Sequence, residues 1–308
     1  MRFPGVPHLR LGPKPPPLRL HLGAHKTATT YLQALLALNR DALAAQGAVY
    51  LGPELLRGVG AGAVRFQDGG VPGKLLRRPR AARALARLIA AEAPAGGASR
   101  AIVSEENLLG SCGRIMRSGR LYTGIDRMLG AFGRMVDGPE TVALFAIRGY
   151  ADFFASAHSQ LARHKRPAPL DPIPRDALLS LRRRWPQVAR DLRRIMPRSR
   201  LIVWRYEDFR ALEAAVIEAL TGLDPATLRR PSGHRHPSLS ANALEAVMAE
   251  EATRGAALSP GEVRALGEKT PGPRYDPWTA EERARFAAAY AEDWEAIRAT
   301  PGVEPLSV

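Results

Sequence analysis

The sequence predicts an α/β fold: an open, mainly parallel sheet with helices on both faces. Short apolar or alternating runs recur at Leu18–Leu22, Ala48–Leu51, Ala101–Val103, Thr141–Ile147 and Leu201–Trp204. Segments with helical apolar spacing separate them, and the intervals suit crossovers rather than hairpins. The run from Thr141 to Ile147 is apolar at nearly every position, as expected of a strand covered on both faces.

Residues 1–17 are rich in proline and arginine and lack apolar periodicity, which reads as a loose arm before the first strand. Leu18–Leu22 alternates apolar and polar residues. Gly23–Thr30 is a small-residue turn, and Tyr31–Ala45 carries a helical pattern. Ala48–Leu51 is a short second strand. The Gly-rich, basic stretch Gly58–Arg80 reads as a loop before a helix over Ala81–Ala93. Strands follow at Ala101–Val103, Thr141–Ile147 and Leu201–Trp204. After the last of these comes Arg205-Tyr-Glu-Asp-Phe209, in which Glu207 and Asp208 are expected to cap a helix running to Leu220. From Gly222 onward the chain reads as mainly helical, with a polar linker at Arg229–Ser240 and helices over Ala241–Thr253 and Ala280–Ala299. Phe286, Tyr290 and Trp294 recur every four residues on the last helix, which marks a core-facing stripe. No composition break divides residues 18–308, so one domain is expected.

The formal charge of +15 suits an anionic partner: a nucleotide, a polyanionic glycan, nucleic acid or an acidic membrane surface. Arginine carries most of that charge and is spread along the chain, as a GC-rich coding bias also produces. The only lysines are Lys14, Lys26, Lys74, Lys165 and Lys269. Aromatic residues are sparse and do not interleave with the basic clusters, which weighs against binding nucleic acid by stacking. Apolar runs are too short for a membrane span or the centre of a signal peptide, so a soluble, unprocessed, cytoplasmic protein is expected. The single cysteine, Cys112, excludes an internal disulfide and argues against structural zinc.

The chemistry concentrates in Gly23-Ala24-His25-Lys26-Thr27-Ala28-Thr29-Thr30, between the first strand and the first helix. In an open parallel sheet, ligands bind beyond the carboxyl ends of the strands, where a helix start offers free N–H groups to an anion. Gly23 and Ala24 let the backbone approach a ligand, Lys26 supplies charge, and Thr27, Thr29 and Thr30 supply hydroxyls. A phosphate-like group is the natural occupant. The segment lacks the glycine before lysine that a Walker A loop requires.

This loop resembles the 5′-phosphosulfate loop of the sulfotransferases that use 3′-phosphoadenosine-5′-phosphosulfate (PAPS). Their Lys-Thr-Gly-Thr-Thr run is matched here with Ala28 at the glycine. The resemblance implies a P-loop-like fold and a 3′-phosphate site made by an arginine closing a later strand and a serine eight positions on. Arg148 follows Ile147, and Ser156 stands eight residues further, just over two helical turns away. The Arg205–Phe209 run is similar to the family's late strand. Gly267–Arg274, with Lys269, is similar to its carboxyl-terminal basic loop over the nucleotide.

By that resemblance the donor is PAPS, the product adenosine 3′,5′-bisphosphate (PAP), and no metal is required. Lys26 would neutralise charge on the departing phosphate and the three threonines would hold the remaining oxygens. The general base is left open. Glu105 and Glu106 follow the third strand, Glu54 follows the second, and His158 and His164 lie on the helix beyond Ser156. His25 could touch a phosphate, while His21, in mid-strand, reads as a core residue. The acceptor is a glycan, a lipid, a phenol or a peptide, with walls expected from Gly58–Arg80 and Arg229–Ser240, whose arginines suit an anionic acceptor. The competing readings are a P-loop-type kinase, with Glu105 or Glu106 organising magnesium, and a non-catalytic nucleotide- or glycan-binding module.

Overall fold

The structure, a computed structural model, describes residues 16–57, 78–94, 96–162, 170, 172–232 and 238–308. The expected arm up to residue 15, the loop over 58–77, His164 and residues 233–237 of the linker lie outside the described residues.

Six strands form one sheet: β1 (Leu18–His21), β2 (Ala48–Leu51), β3 (Arg100–Ser104), β4 (Val142–Ile147), β5 (Arg200–Arg205) and β6 (Val303–Leu306). Their order is β2-β3-β1-β4-β5-β6, and every neighbouring pair is parallel. The chain steps outward from β1 to β2, back to β3, and then to β4 on the other side of β1. The order therefore reverses at β1, and the crevice beyond its carboxyl end is the place where such sheets bind ligands.

The strands bury both faces by strict alternation. Leu18, Leu20, Val103, Phe145, Ile147 and Val203 point to one core, while Ile102, Leu144, Ala146, Ile202 and Trp204 point to the other. The helices supply the opposing layers: α1 (Thr29–Leu38), α2 (Arg40–Ala45), α3 (Pro53–Arg57), α4 (Arg78–Glu92), α5 (Cys112–Ser118), α6 (Ile125–Met128), α7 (Gly130–Val136), α8 (Tyr150–Leu161), α9 (Pro172–Leu179), α10 (Trp185–Ile195), α11 (Phe209–Thr221), α12 (Ala241–Arg254), α13 (Pro260–Lys269) and α14 (Ala280–Arg298). Helices α1 and α11 cover the second face, and α8, α10 and α14 cover the first. The hairpin of α12 and α13 builds a small core of its own, which Ala162 at the end of α8 joins.

Three departures from the sequence reading have physical causes. The helix expected over Tyr31–Ala45 breaks at Asn39, whose side-chain amide donates to the Leu35 carbonyl (2.8 Å) and the Arg229 carbonyl (2.9 Å) and accepts the Arg229 N–H (2.9 Å). The carboxyl-terminal part is not wholly helical, because Val303–Leu306 adds β6 beside β5. Pro305 hides that strand in the sequence, since proline is tolerated only at a sheet edge, where β6 lies. Finally, Asp208 makes no side-chain cap on α11 and pairs with Arg205 (2.7 Å). Glu207 instead accepts the Gly149 N–H (3.0 Å) at the start of α8 and the Tyr290 hydroxyl (2.7 Å).

Candidate active site

The loop after β1 is shaped by backbone sign changes. Gly23 has φ +44°, and a Cβ there would lie 2.3 Å from the Thr29 methyl, so no side chain fits. Lys26 and Ala28 also have positive φ, +66° and +62°, while Thr27 between them does not. Alternation of this kind turns successive N–H groups toward one concave side, the nest that holds anions. The first-turn N–H groups of α1, on Thr29, Thr30 and Tyr31, have no acceptor within the helix and extend that concavity. The hydroxyls divide: Thr27 is fully buried and donates to the Ala24 carbonyl (2.5 Å), bracing the turn, Thr29 is buried against Gly23, and Thr30 is exposed.

His25 anchors the loop to the end of β3. Its N–H donates to the Tyr122 hydroxyl (2.9 Å), which lies 3.0 Å from Nδ1, and Nε2 lies 3.2 Å from Asn107 Oδ1. Beneath it His21 is a core residue, as expected. Its Nδ1 is 2.8 Å from Ser104 Oγ, and burial depresses its pKa to about 4, against a small opposing pull from Glu106.

Arg148 meets this loop directly. It closes β4, and its Nη1 donates to the Lys26 carbonyl (2.6 Å). The guanidinium lies 4.6 Å from the Tyr206 ring centroid, and the Arg148 carbonyl accepts the Trp185 indole N–H (2.9 Å). Its Nε is buried and has no hydrogen-bond partner among the described residues. Burial, followed by repulsion from Arg274, lowers the Arg148 pKa, so an anion at this place would relieve both.

Ser156 lies on α8 with Oγ 2.9 Å from Ser238 Oγ. One turn earlier on that helix Asp152 pairs with Arg274 (3.3 Å), and Ser240 bridges to the Arg274 backbone. The segment after α13 therefore returns to the Arg148 side, as expected of a basic loop there, but the cation it brings is Arg274. Lys269 ends α13 as an exposed residue, and no contact among the described residues joins it to Arg148 or Ser156.

The candidate bases separate clearly. Glu105 is wholly buried, with both oxygens held by Arg57 (2.7 and 2.5 Å) and one also accepting the Asn107 N–H (2.9 Å). Burial raises its pKa in spite of that arginine, and its geometry is that of a strut. Glu106 keeps 18 % of its side chain exposed and accepts from Gln33 of α1 (2.8 Å) and Arg57 (3.1 Å). Burial pushes its pKa up, but His25 and Arg57 outweigh that push and hold the carboxyl below its usual range. Glu54 is 58 % exposed and paired with Arg40 (2.6 Å) on α3. That helix follows β2, two strands or roughly 10 Å from β1. His158 is buried and stacked on Tyr275, with centroids 5.5 Å apart.

The structure thus brings Gly23, Ala24, His25, Lys26, Thr27, Ala28, Thr29, Thr30, Glu106, Arg148 and, through α8, Ser156 to one end of the sheet. Glu54, on α3, lies at the same end of the sheet but two strands from β1 and paired with Arg40, and Lys269 makes no contact with Arg148 or Ser156 among the described residues. Arg57, Tyr122, Tyr206 and Arg274 complete the site and were not singled out from sequence. Tyr206, inside the Arg205–Phe209 run, and Arg274, inside the basic loop, carried a local signal; Arg57 and Tyr122 did not. Comparison with protein-family models, curated proteins and solved structures finds no match to this chain.

Proposed function

We propose that the chain is a sulfotransferase that uses PAPS as donor and a hydroxyl or amine as acceptor. The observation that carries this reading is the bond from Arg148 Nη1 to the Lys26 carbonyl, because it puts two basic clusters far apart in sequence on one crevice. The residues present fit such a donor. A nest with a lysine suits a 5′-phosphosulfate, and the unpartnered Nε of Arg148, with Arg274 near it and Ser156 two turns along α8, suits a 3′-phosphate.

When bound, PAPS supplies an activated sulfuryl group on a good leaving phosphate. Lys26 and the first-turn N–H groups of α1 bind and neutralise that phosphate. Arg148, Ser156 and Arg274 fix the other end of the nucleotide, which sets its orientation. Glu106, ionised and partly open to the crevice, takes the acceptor's proton, while Arg57 and Gln33 hold its carboxylate in place. The absence of a membrane-crossing helix among the described residues is compatible with a soluble or a peripheral acceptor.

Isothermal titration with PAP and with ATP plus magnesium tests the reading. The expected result is tighter binding of PAP, unaffected by magnesium. A preference for magnesium-ATP would support the kinase reading instead, and PAP binding without transfer to any acceptor class would support a binding module.

A further inference from the structure

The opposite edge of the sheet holds a second basic recess. At the amino ends of the strands a cavity of about 370 Å³ is lined by Pro17, Arg19, Ser99, Arg100, Glu140 and Arg200, among others. The strand register explains the convergence, since Arg19 stands opposite Val142 and Val142 opposite Arg200, while Arg100 opens β3 on the other side of β1.

The three arginines are unequally satisfied. Arg200 is held by both oxygens of Glu304 (2.9 and 2.6 Å). Arg100 donates to the Thr221 carbonyl at the end of α11 (2.7 Å), where the helix dipole favours a cation. Arg19 makes one bond, from Nη1 to the Glu140 carbonyl (3.1 Å), and its Nε is buried without a hydrogen-bond partner among the described residues. Burial and then the charges of Arg100 and Arg200 act against its protonation, and Glu140 is the one acidic residue in the lining of the recess.

We propose that this recess is a second anion site, which binds a sulfate or phosphate group, free or as a small ester, through Arg19 with Arg100 and Arg200 beside it. It is separate from the crevice at the carboxyl ends of the same strands and does not depend on the function proposed there. A tetrahedral oxyanion brings acceptors to the half-buried Arg19 side chain and offsets the repulsion among three guanidinium groups. The recess also has room for the body of an ester.

The test is calorimetric titration of inorganic phosphate and of glycerol phosphate, at constant ionic strength, into the wild-type chain, Lys26→Ala and Arg19→Met. The expected result is binding that survives Lys26→Ala and weakens roughly tenfold or more in Arg19→Met, the loss of one charge-assisted contact. Arg19→Met should also melt no lower than wild type without ligand, because it removes a like charge. If it fails to fold, Arg200→Met serves in its place with the same expected loss of binding. Tighter binding of glycerol phosphate identifies an ester as the occupant, tighter binding of inorganic phosphate identifies the free ion, and either upholds the site. Equal affinity in Lys26→Ala and in Lys26→Ala with Arg19→Met added, or no phosphate binding that survives Lys26→Ala, overturns it.

Discussion

Glu105 and Glu106 are adjacent in the chain and opposite in circumstance. One is sealed under Arg57 and caps the turn that follows β3, and the other keeps 18 % of its side chain exposed beside Gln33 of α1. Glu106→Gln should therefore lower turnover by roughly 10²–10³ while leaving PAP affinity unchanged, measured by steady-state kinetics beside titration. Unchanged turnover would remove Glu106 as base. Sequence alone could not divide the pair, because the division is made by Arg57, which arrives from the end of β2 through α3. The loop itself was more legible: Gly23 and Lys26 are named by residue type and position, Arg148 by the family resemblance, and their convergence follows from the parallel sheet. What spacing could not show is that Ala28 sits in the left-handed region at φ +62°. Ala28→Gly is expected to raise stability by about 0.5–1 kcal/mol in denaturant titration, since glycine adopts that conformation without steric cost. A loss of stability would mean that the loop gains from the methyl group.

At the scale of elements, the site depends on how α8 is seated. Tyr150, its first residue, donates to the buried carboxylate of Asp293 on α14 and accepts the Trp185 N–H (3.1 Å) at the start of α10. Arg184 Nε lies 2.7 Å from the other Asp293 oxygen, and Trp185 in turn holds the Arg148 carbonyl. One polar knot thus joins three helices directly behind the arginine that faces the lysine loop. Tyr150→Phe deprives a buried carboxylate of a donor, and a loss of about 1–3 kcal/mol is expected in equilibrium unfolding. An unaltered midpoint would show that the knot does not contribute. Strands β1 to β5 were readable because each is short, apolar or alternating, and isolated by helices. The knot was not, since it joins residues from α8, α10 and α14 that no local pattern relates.

At the scale of the whole molecule, six parallel strands separate two basic ends. The carboxyl ends carry the loop of β1, Arg148 and Glu106, and the amino ends carry Arg19, Arg100 and Arg200. The overall charge suits an anionic partner without saying where, and the sheet order sets two basic clusters at opposite ends of the strands. β6 escaped the sequence reading because its proline is allowed only by an edge position, which is a property of the finished sheet. The proposal has one bisphosphorylated adenosine span Lys26 and the Arg148 cluster, and crossed titration of adenosine 5′-monophosphate and adenosine 3′-monophosphate separates the two ends. Lys26→Ala should weaken the 5′-monophosphate roughly tenfold and spare the 3′-monophosphate; Ser156→Ala and Arg274→Ala should do the reverse, and all three should weaken PAP. If all three variants weaken the same monophosphate, or none alters PAP binding, the two clusters do not share a ligand.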